Sequence, residues 1–309
     1  MIFMLLYKNN VPTVLLIFSW LQGCATAPPP ALSSETIAEP IALPLSTEIA
    51  ETSGLACLPQ QQFLTINDSG NPSIVYQLDK KGHIVTRFEV SENNQDWEAI
   101  TLHQGQLWIA DIGNNSGQRQ HLQLYKSELP NYNTRQLNTE KFQLHYAEIP
   151  KHVPTSYEHN LDAEALVSTG EQLLMFSKNW AGNQSTVYEV DTNVPASKLK
   201  PIGQTSHLPG LITDVAFSTQ HNLFVVAGYQ NFRQNPFSLM LTGNFEPFLA
   251  VLDRQFQLQA IVPVATGGQL EAVCVDENQQ VWLSQEKSRQ QPALFWRWGT
   301  LEQLIGQIK

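Results

Sequence analysis

Four carboxylates recur at matched points along this chain, each at the head of a short apolar run: Glu98 in Asp96-Trp97-Glu98-Ala99-Ile100, Glu164 in Asp162-Ala163-Glu164-Ala165-Leu166, Asp214 in Thr213-Asp214-Val215, and Glu271 in Leu270-Glu271-Ala272. Ser53, in Thr52-Ser53-Gly54-Leu55, takes a fifth such place, and the successive intervals are 45, 66, 50 and 57 residues. Acids gathered on one axis repel each other in a partly dry site. They must take up protons, recruit a lysine such as Lys178 or Lys287, or bind a cation. A hard divalent ion answers this most simply, and calcium, with roughly six to eight oxygen ligands in flexible geometry, suits such a ring better than magnesium. In the competing reading each acid accepts backbone N–H bonds within its own structural unit and recurs only because the unit recurs. A third reading has the carboxylates catalytic without a metal.

Such residues need a repeating scaffold. After each acidic or hydroxyl cluster comes an apolar strand, a turn and a second apolar strand ending in polar residues, as in Phe63 to Asp68, Leu107 to Asp111, Leu173 to Lys178, Leu223 to Tyr229 and Val281 to Glu286. Strands are short, rich in Val, Ile, Leu, Phe and Trp, and separated by Asn, Gly, Pro and Ser clusters, with no long 3.6-residue periodicity. The fold class predicted is all-β, a single β-propeller of four-stranded antiparallel blades, with five blades favoured over six by the repeat count. Expected strands cover 53–58, 62–67, 73–79 and 84–90 in the first copy and 98–103, 107–111, 121–127 and 140–147 in the second. In the last copy, 293–298 supplies a third strand. Its fourth is either Leu301 to Ile308 or, closing the ring from the other end, Ile41 to Leu45.

Chain order predicts that the start of each first strand and the end of each second strand meet on one face. That places Glu98, Glu164, Asp214 and Glu271 around a channel mouth as metal ligands, with Ser53 beside them. A second tier holds Asn67, Asp68, Asp111, Asn114, Lys178, Tyr229, Glu286 and Lys287. Trp97 and Trp180 fall in the same loops, where an aromatic beside carboxylates stacks a ring or sugar; Trp97 equally fits as a wedge between blades, and Trp108 and Trp282 as blade core. For catalysis, Glu98 or Glu164 would act as base while Arg119, Lys178 or Lys287 steadies negative charge. No nucleophile elbow, zinc-binding His-Glu-x-x-His or phosphate loop is present. His103, His121, His145, His207 and His221 show no ligand spacing, and His152 and His159 read as surface residues of an insertion.

The first 23 residues carry one charged side chain, Lys8, and the apolar run Val14 to Leu21, followed by Gln22-Gly23-Cys24. This reads as a signal peptide, and its ending resembles a bacterial lipobox, implying cleavage before Cys24 and lipidation there; an ordinary signal peptide or an uncleaved anchor are the alternatives. By the same likeness Ala25 points to the outer membrane. Residues 24–40, rich in Pro, Ala and Ser, read as a tether, and 41–309 as the propeller domain. A formal charge of −10 argues against nucleic acid and leaves cations, neutral glycans, small molecules or proteins as partners. Cys57 and Cys274 fall on innermost strands of first and last copies, neighbours in a closed ring of five, and are either a disulfide or two buried free thiols.

Thr52-Ser53-Gly54-Leu55, Asn67-Asp68-Ser69-Gly70, Asp96 to Ile100, Asp111-Ile112-Gly113-Asn114-Asn115 with Arg119, and Asp162 to Leu166 together resemble bacterial phytase-like or esterase-like propeller proteins. The order of Ser-Gly-Leu, Glu-Ala-Ile, Glu-Ala-Leu and Glu-Ala-Val is also similar to that of the SdiA-regulated, YjiK-type periplasmic propellers. The likeness spans 51–298 and implies a propeller with a central calcium. Where it carries Asp-Asn this chain has Asn114-Asn115, one charge fewer. It implies no particular activity, because propellers host hydrolases, lectins and scaffolds. Three functions follow as expectations: a calcium-stabilised binding or scaffold lipoprotein, a calcium-dependent hydrolase of phosphoesters, esters or lactones, and a glycan-binding propeller.

Overall fold

A computed structural model describes residues 41–131, 133–147, 157–182, 184–230 and 245–306; the expected signal peptide, Cys24, the tether and His152 lie outside them. Among the described residues no helix is long and apolar enough to cross a membrane. Strand β1 (Leu43–Pro44) precedes a first antiparallel unit of β2 (Thr52–Leu58), β3 (Gln62–Asn67), β4 (Ile74–Leu78) and β5 (Ile84–Val90). The second unit comprises β6 (Trp97–His103), β7 (Gln106–Asp111), β8 (Leu122–Glu128) and, after the two-residue β9 (Gln136–Leu137), β10 (Glu140–Tyr146). Next come β11 (Ala163–Ser168), β12 (Leu173–Ser177), β13 (Thr186–Val190) and β14 (Ala196–Gln204), then β15 (Leu211–Ser218), β16 (Leu223–Gln230), β17 (Glu246–Leu252) and β18 (Leu258–Pro263). The last unit contains β19 (Leu270–Val275), β20 (Gln280–Gln285) and β21 (Leu294–Thr300).

The five first strands close a ring: β2 packs on β6, β6 on β11, β11 on β15, β15 on β19, and β19 back on β2. Among the described residues the fold is thus a five-bladed β-propeller. Its last blade is completed by β1, which pairs Leu43 with Phe295 and Pro44 with Leu294, so the N-terminal candidate closes the ring. The other candidate, Leu301–Ile305, is instead a short helix, α1, because Thr300 and Gln303 form a reciprocal capping box and Leu301 and Leu304 bury against the last blade. Two pairings add to the repeat. Strand β9 lies parallel to β5, and β10 parallel to β14, which joins the second and third blades into one eight-stranded sheet.

Packing between blades supplies the core. Trp97, fully buried, sits with Ile66, Phe88 and Tyr125 between the first two blades, so it is the wedge and not a ligand platform. Trp108 packs on Phe142 of its own blade, with ring centroids 4.9 Å apart, in a cluster shared with the third blade. Phe63, Trp282 and Phe295 join first blade to last, with ring centroids 4.7 Å apart for Phe63 and Trp282 and 4.9 Å for Phe63 and Phe295. Beside them Cys57 and Cys274 form a disulfide across 217 residues of sequence. By loop-closure entropy such a crosslink stabilises by about 5 kcal/mol at most.

Every inner strand carries a β-bulge near its start. Pairing to the second strand skips one residue between Ser53 and Leu55, Trp97 and Ala99, Ala163 and Ala165, Ile212 and Asp214, and Leu270 and Ala272. The structurally equivalent residues are therefore Gly54, Glu98, Glu164, Thr213 and Glu271. A bulge re-aims one side chain out of the ladder, and here three of the five carry glutamate. The sequence alignment is one residue off in two blades: Ser53 and Asp214 are ladder neighbours of the bulge, not the bulged residues. Glycine is required at 54, where φ is +68° and a Cβ would lie 2.7 Å from the backbone nitrogen of Ile100.

Candidate functional site

The bulges and the loops at the same end of the ring enclose an axial cavity of about 140 Å³. Glu98, Glu164 and Glu271 enter it from three bulges; Asp68, Lys178, Tyr229 and Glu286 come from the ends of second strands; Ser53, Asn115, Tyr157, Trp180 and Gln269 complete its wall. The expectation that both halves of each motif meet on one face describes this arrangement.

On the side of the first two blades, Asp68, Asp96 and Glu98 place carboxylate oxygens within 4.8 Å of one another. Burial, reinforced by the neighbouring acids, pushes Asp96 up to about 6 and Glu98 well above the usual carboxylate range. Burial raises Asp68 as well, against a backbone hydrogen bond from Ser69. Glu98 is 4% exposed, and among the described residues its carboxylate accepts no hydrogen bond. Gly113 makes room for this group: a Cβ there would lie 2.2 Å from Glu98 Oε1 and 2.5 Å from the Asp96 carboxyl. Sequence reasoning passed over Asp96 as a ligand, although it stands two residues before Glu98 at the same strand start.

The third and fourth blades meet the charge problem differently. Lys178 Nζ donates to Glu164 Oε1 at 2.7 Å, both side chains being buried. Burial alone would lower the ammonium, but Glu164, with Tyr229, Glu271 and Asp162, more than reverses this and raises it. The same Nζ lies 4.8 Å from the ring centre of Trp180 and 5.6 Å from that of Tyr229. Trp180 is oriented by donating Nε1–H to Asp162 Oδ2 at 2.7 Å, while Tyr157 meets its edge with centroids 4.7 Å apart. On the fifth blade Gln269 donates to Glu271, which burial pushes up to about 7, and burial together with Glu271 raises Glu286 well above its ordinary range.

Several candidate residues are held elsewhere. Asp214 accepts backbone N–H bonds from Val215 at 2.8 Å and Val273 at 2.9 Å, and lines the opposite part of the channel with Cys57 and Cys274. It ties Val215 of its own blade to Val273 of the next, whereas the backbone-capping reading of the acids expects bonds within one blade. Asn67 binds the backbone of Glu48 and Glu51. Asp111 receives Arg119 at 2.7 Å and Tyr125 Oη at 3.1 Å, and Arg119 also donates to the carbonyls of Gly113 and Asp111. Arg119 and Asp111 therefore brace the loop that carries Gly113 and are not among the residues that line the cavity. Asn114 ties that loop to Leu161, and its backbone N–H to Asp162. Lys287 is exposed and contributes its backbone N–H to Ala50. His159, expected at the surface, is buried: Leu161 N–H donates to its Nδ1, so Nε2–H donates to the Asn115 carbonyl at 3.0 Å.

No family model matches the sequence, and no curated protein matches it. A solved structure similar in shape is a chain of the "Crystal Structure of Mitotic Checkpoint Complex", with a TM-score of 0.36 and 11% identity over 79% of this chain. This chain spans 62% of that one, and at this similarity no property passes between them. The propeller assignment rests on the ring of inner strands described above.

Chemically, the cavity offers a hard, oxygen-only donor set on one wall and a fixed ammonium between aromatic rings on the other. Oxygen donors without nitrogen or sulfur suit calcium or magnesium rather than zinc or copper.

Proposed function

We propose that this chain is a periplasmic propeller lipoprotein, tethered to the outer membrane through Cys24, that holds a calcium ion in its axial cavity and works as a binding or scaffold protein. One observation carries the ion: Glu98 is buried, converges with Asp68 and Asp96, and has no hydrogen-bond donor among the described residues. A buried carboxylate in that state either stays protonated or meets an external cation. Three carboxylates drawn from a bulge and two loops give an irregular set, which calcium tolerates better than magnesium. The Leu21 to Cys24 ending supports the anchor, and the Cys57–Cys274 disulfide suits an oxidising compartment.

A second reading is a calcium-dependent hydrolase, favoured by Lys178 on the wall facing the acidic cluster. There the ion would polarise a substrate oxygen or a water, and Lys178 would steady the developing negative charge. Arg119, committed to Asp111 and Gly113, takes no part.

Thermal unfolding of the full chain with calcium and with chelator tests the site. Calcium at a hundredfold excess over its dissociation constant should stabilise by about 2.7 kcal/mol, and Glu98→Gln should abolish the response. Identical unfolding in calcium and chelator would sink the metal reading. Absence of turnover on phosphoester, aryl ester and lactone panels with calcium would remove the hydrolase, and fatty-acid labelling that survives Cys24→Ser would remove the anchor.

A further inference from the structure

Outside the axial cavity, one pair of side chains is arranged for a different metal. His121 precedes β8 and His145 lies on β10, and the antiparallel register that pairs Leu122 with Leu144 sets them opposite each other. Their Nδ1 atoms are 2.8 Å apart and their rings meet edge to face at 78°. His121 is exposed and His145 half-buried, so both are open to solvent. Two imidazole nitrogens at metal bonds of about 2.0 to 2.1 Å and a right angle stand about 2.9 Å apart. That spacing suits adjacent corners of a tetragonal site, whereas a tetrahedral ion would spread them to about 3.4 Å.

We infer that His121 and His145 form a surface site for a tetragonal transition-metal ion, copper(II) or nickel(II), bound through both Nδ1 atoms with water at the remaining positions. In the metal-free pair one Nδ1–H donates to the other Nδ1. On binding, that ring carries its hydrogen on Nε2 instead, so both nitrogens become ligands and no proton is lost on balance. Gln143, one step along the same strand face, stands next to the pair; Lys198 lies beside His145 in register on β14 and is exposed. The imidazole donors distinguish this site from the oxygen-only axial cluster, so the two sort metals by ligand type. The inference does not depend on the calcium reading.

Copper(II) titrated into the full chain, with calcium in excess to occupy the axial cavity, provides the test. Electron paramagnetic resonance should show one copper per chain with hyperfine coupling to two nitrogens. His121→Asn and His145→Asn should each weaken binding at least tenfold and remove one nitrogen from the spectrum. Since both rings sit at the surface of an outer strand pair, each variant should keep the parent's unfolding midpoint; if one does not, the other decides. Copper binding unchanged by both substitutions, or a spectrum of oxygen ligation alone, would overturn the site.

Discussion

Glu98 and Glu164 occupy the same bulge in adjacent blades, are 4% and 3% exposed, and both have acidities pushed far from normal by burial. Their surroundings diverge. Glu164 has Lys178 at 2.7 Å, flanked by Trp180 and Tyr229; Glu98 has Asp68 and Asp96. One wall of the cavity is neutralised by an ion pair from within the chain, and the other gathers three carboxyl groups whose acidities stay raised although Lys178 acts on Asp68, and Arg119 on Asp96, from a distance. The backbone position fixes where a carboxylate points, and the second-strand residue beside it decides what the carboxylate requires. Beside Glu164 that residue is Lys178 of the same blade, and beside Glu98 it is Asp68 of the preceding blade.

Removing the internal cation should have the largest effect. Lys178→Met leaves Glu164 buried and unpaired, with an expected loss of about 3 to 5 kcal/mol at neutral pH in denaturant unfolding. Adding Glu164→Gln should restore much of it. A single variant as stable as the parent would mean that the pair contributes little.

The acidic wall predicts a pH trend of definite sign. Asp96, near 6, and Glu271, near 7, are raised in the folded chain, so between the ordinary carboxylate range and pH 7 the folded state binds more protons than the unfolded. In chelator, stability should be greatest below about pH 4.5 as far as these groups decide, and fall as pH rises through 6 and 7. Calcium should flatten that fall. A midpoint that climbs across the interval would contradict the assignment.

Making the acidic wall less charged is the next smaller change. Glu98→Gln in chelator should stabilise by about 1 to 2 kcal/mol at pH 8 because the variant no longer has to take up a proton against its ordinary acidity to stay neutral, while the calcium response disappears. The mildest outcome concerns Asp214, which lies outside the acidic wall. Asp214→Asn should leave the calcium-induced shift unchanged and lower stability by about 1 to 2 kcal/mol through its lost N–H acceptor; a lost calcium response would put Asp214 back among the ligands.

Much of this arrangement is legible before any coordinates. Repeats at Ser53, Glu98, Glu164, Asp214 and Glu271 mark the inner strands because apolar runs of this length between turn residues have few other uses. Expected boundaries such as 62–67 and 84–90 coincide with β3 and β5. The bulges are what the spacing hides. An extra residue leaves no trace in composition, yet it moves the bulged position by one in two blades, to Gly54 and Thr213, while Ser53 still lines the cavity. The hydroxyls remain informative in another way: Ser53 donates to the Glu98 carbonyl and Thr213 to the Leu270 carbonyl, each at 2.8 Å, stitching one blade to the next. His121 and His145 stand 24 residues apart and meet only through the register of β8 and β10, which no ligand spacing reveals. Asp96 was within reach, because a carboxylate two residues before a buried glutamate at a strand start shares its end of the sheet.

The crosslink between Cys57 and Cys274 also says something about how the molecule comes to exist. Its halves are 217 residues apart, and β1 waits still longer for β21. A chain emerging from its N-terminus must hold the Cys57 thiol and the bare flank of the first blade unpartnered until the fifth blade is made, a period in which open edges invite mispairing. Ring closure therefore requires the fifth blade, and the covalent lock joins the two ends of the ring.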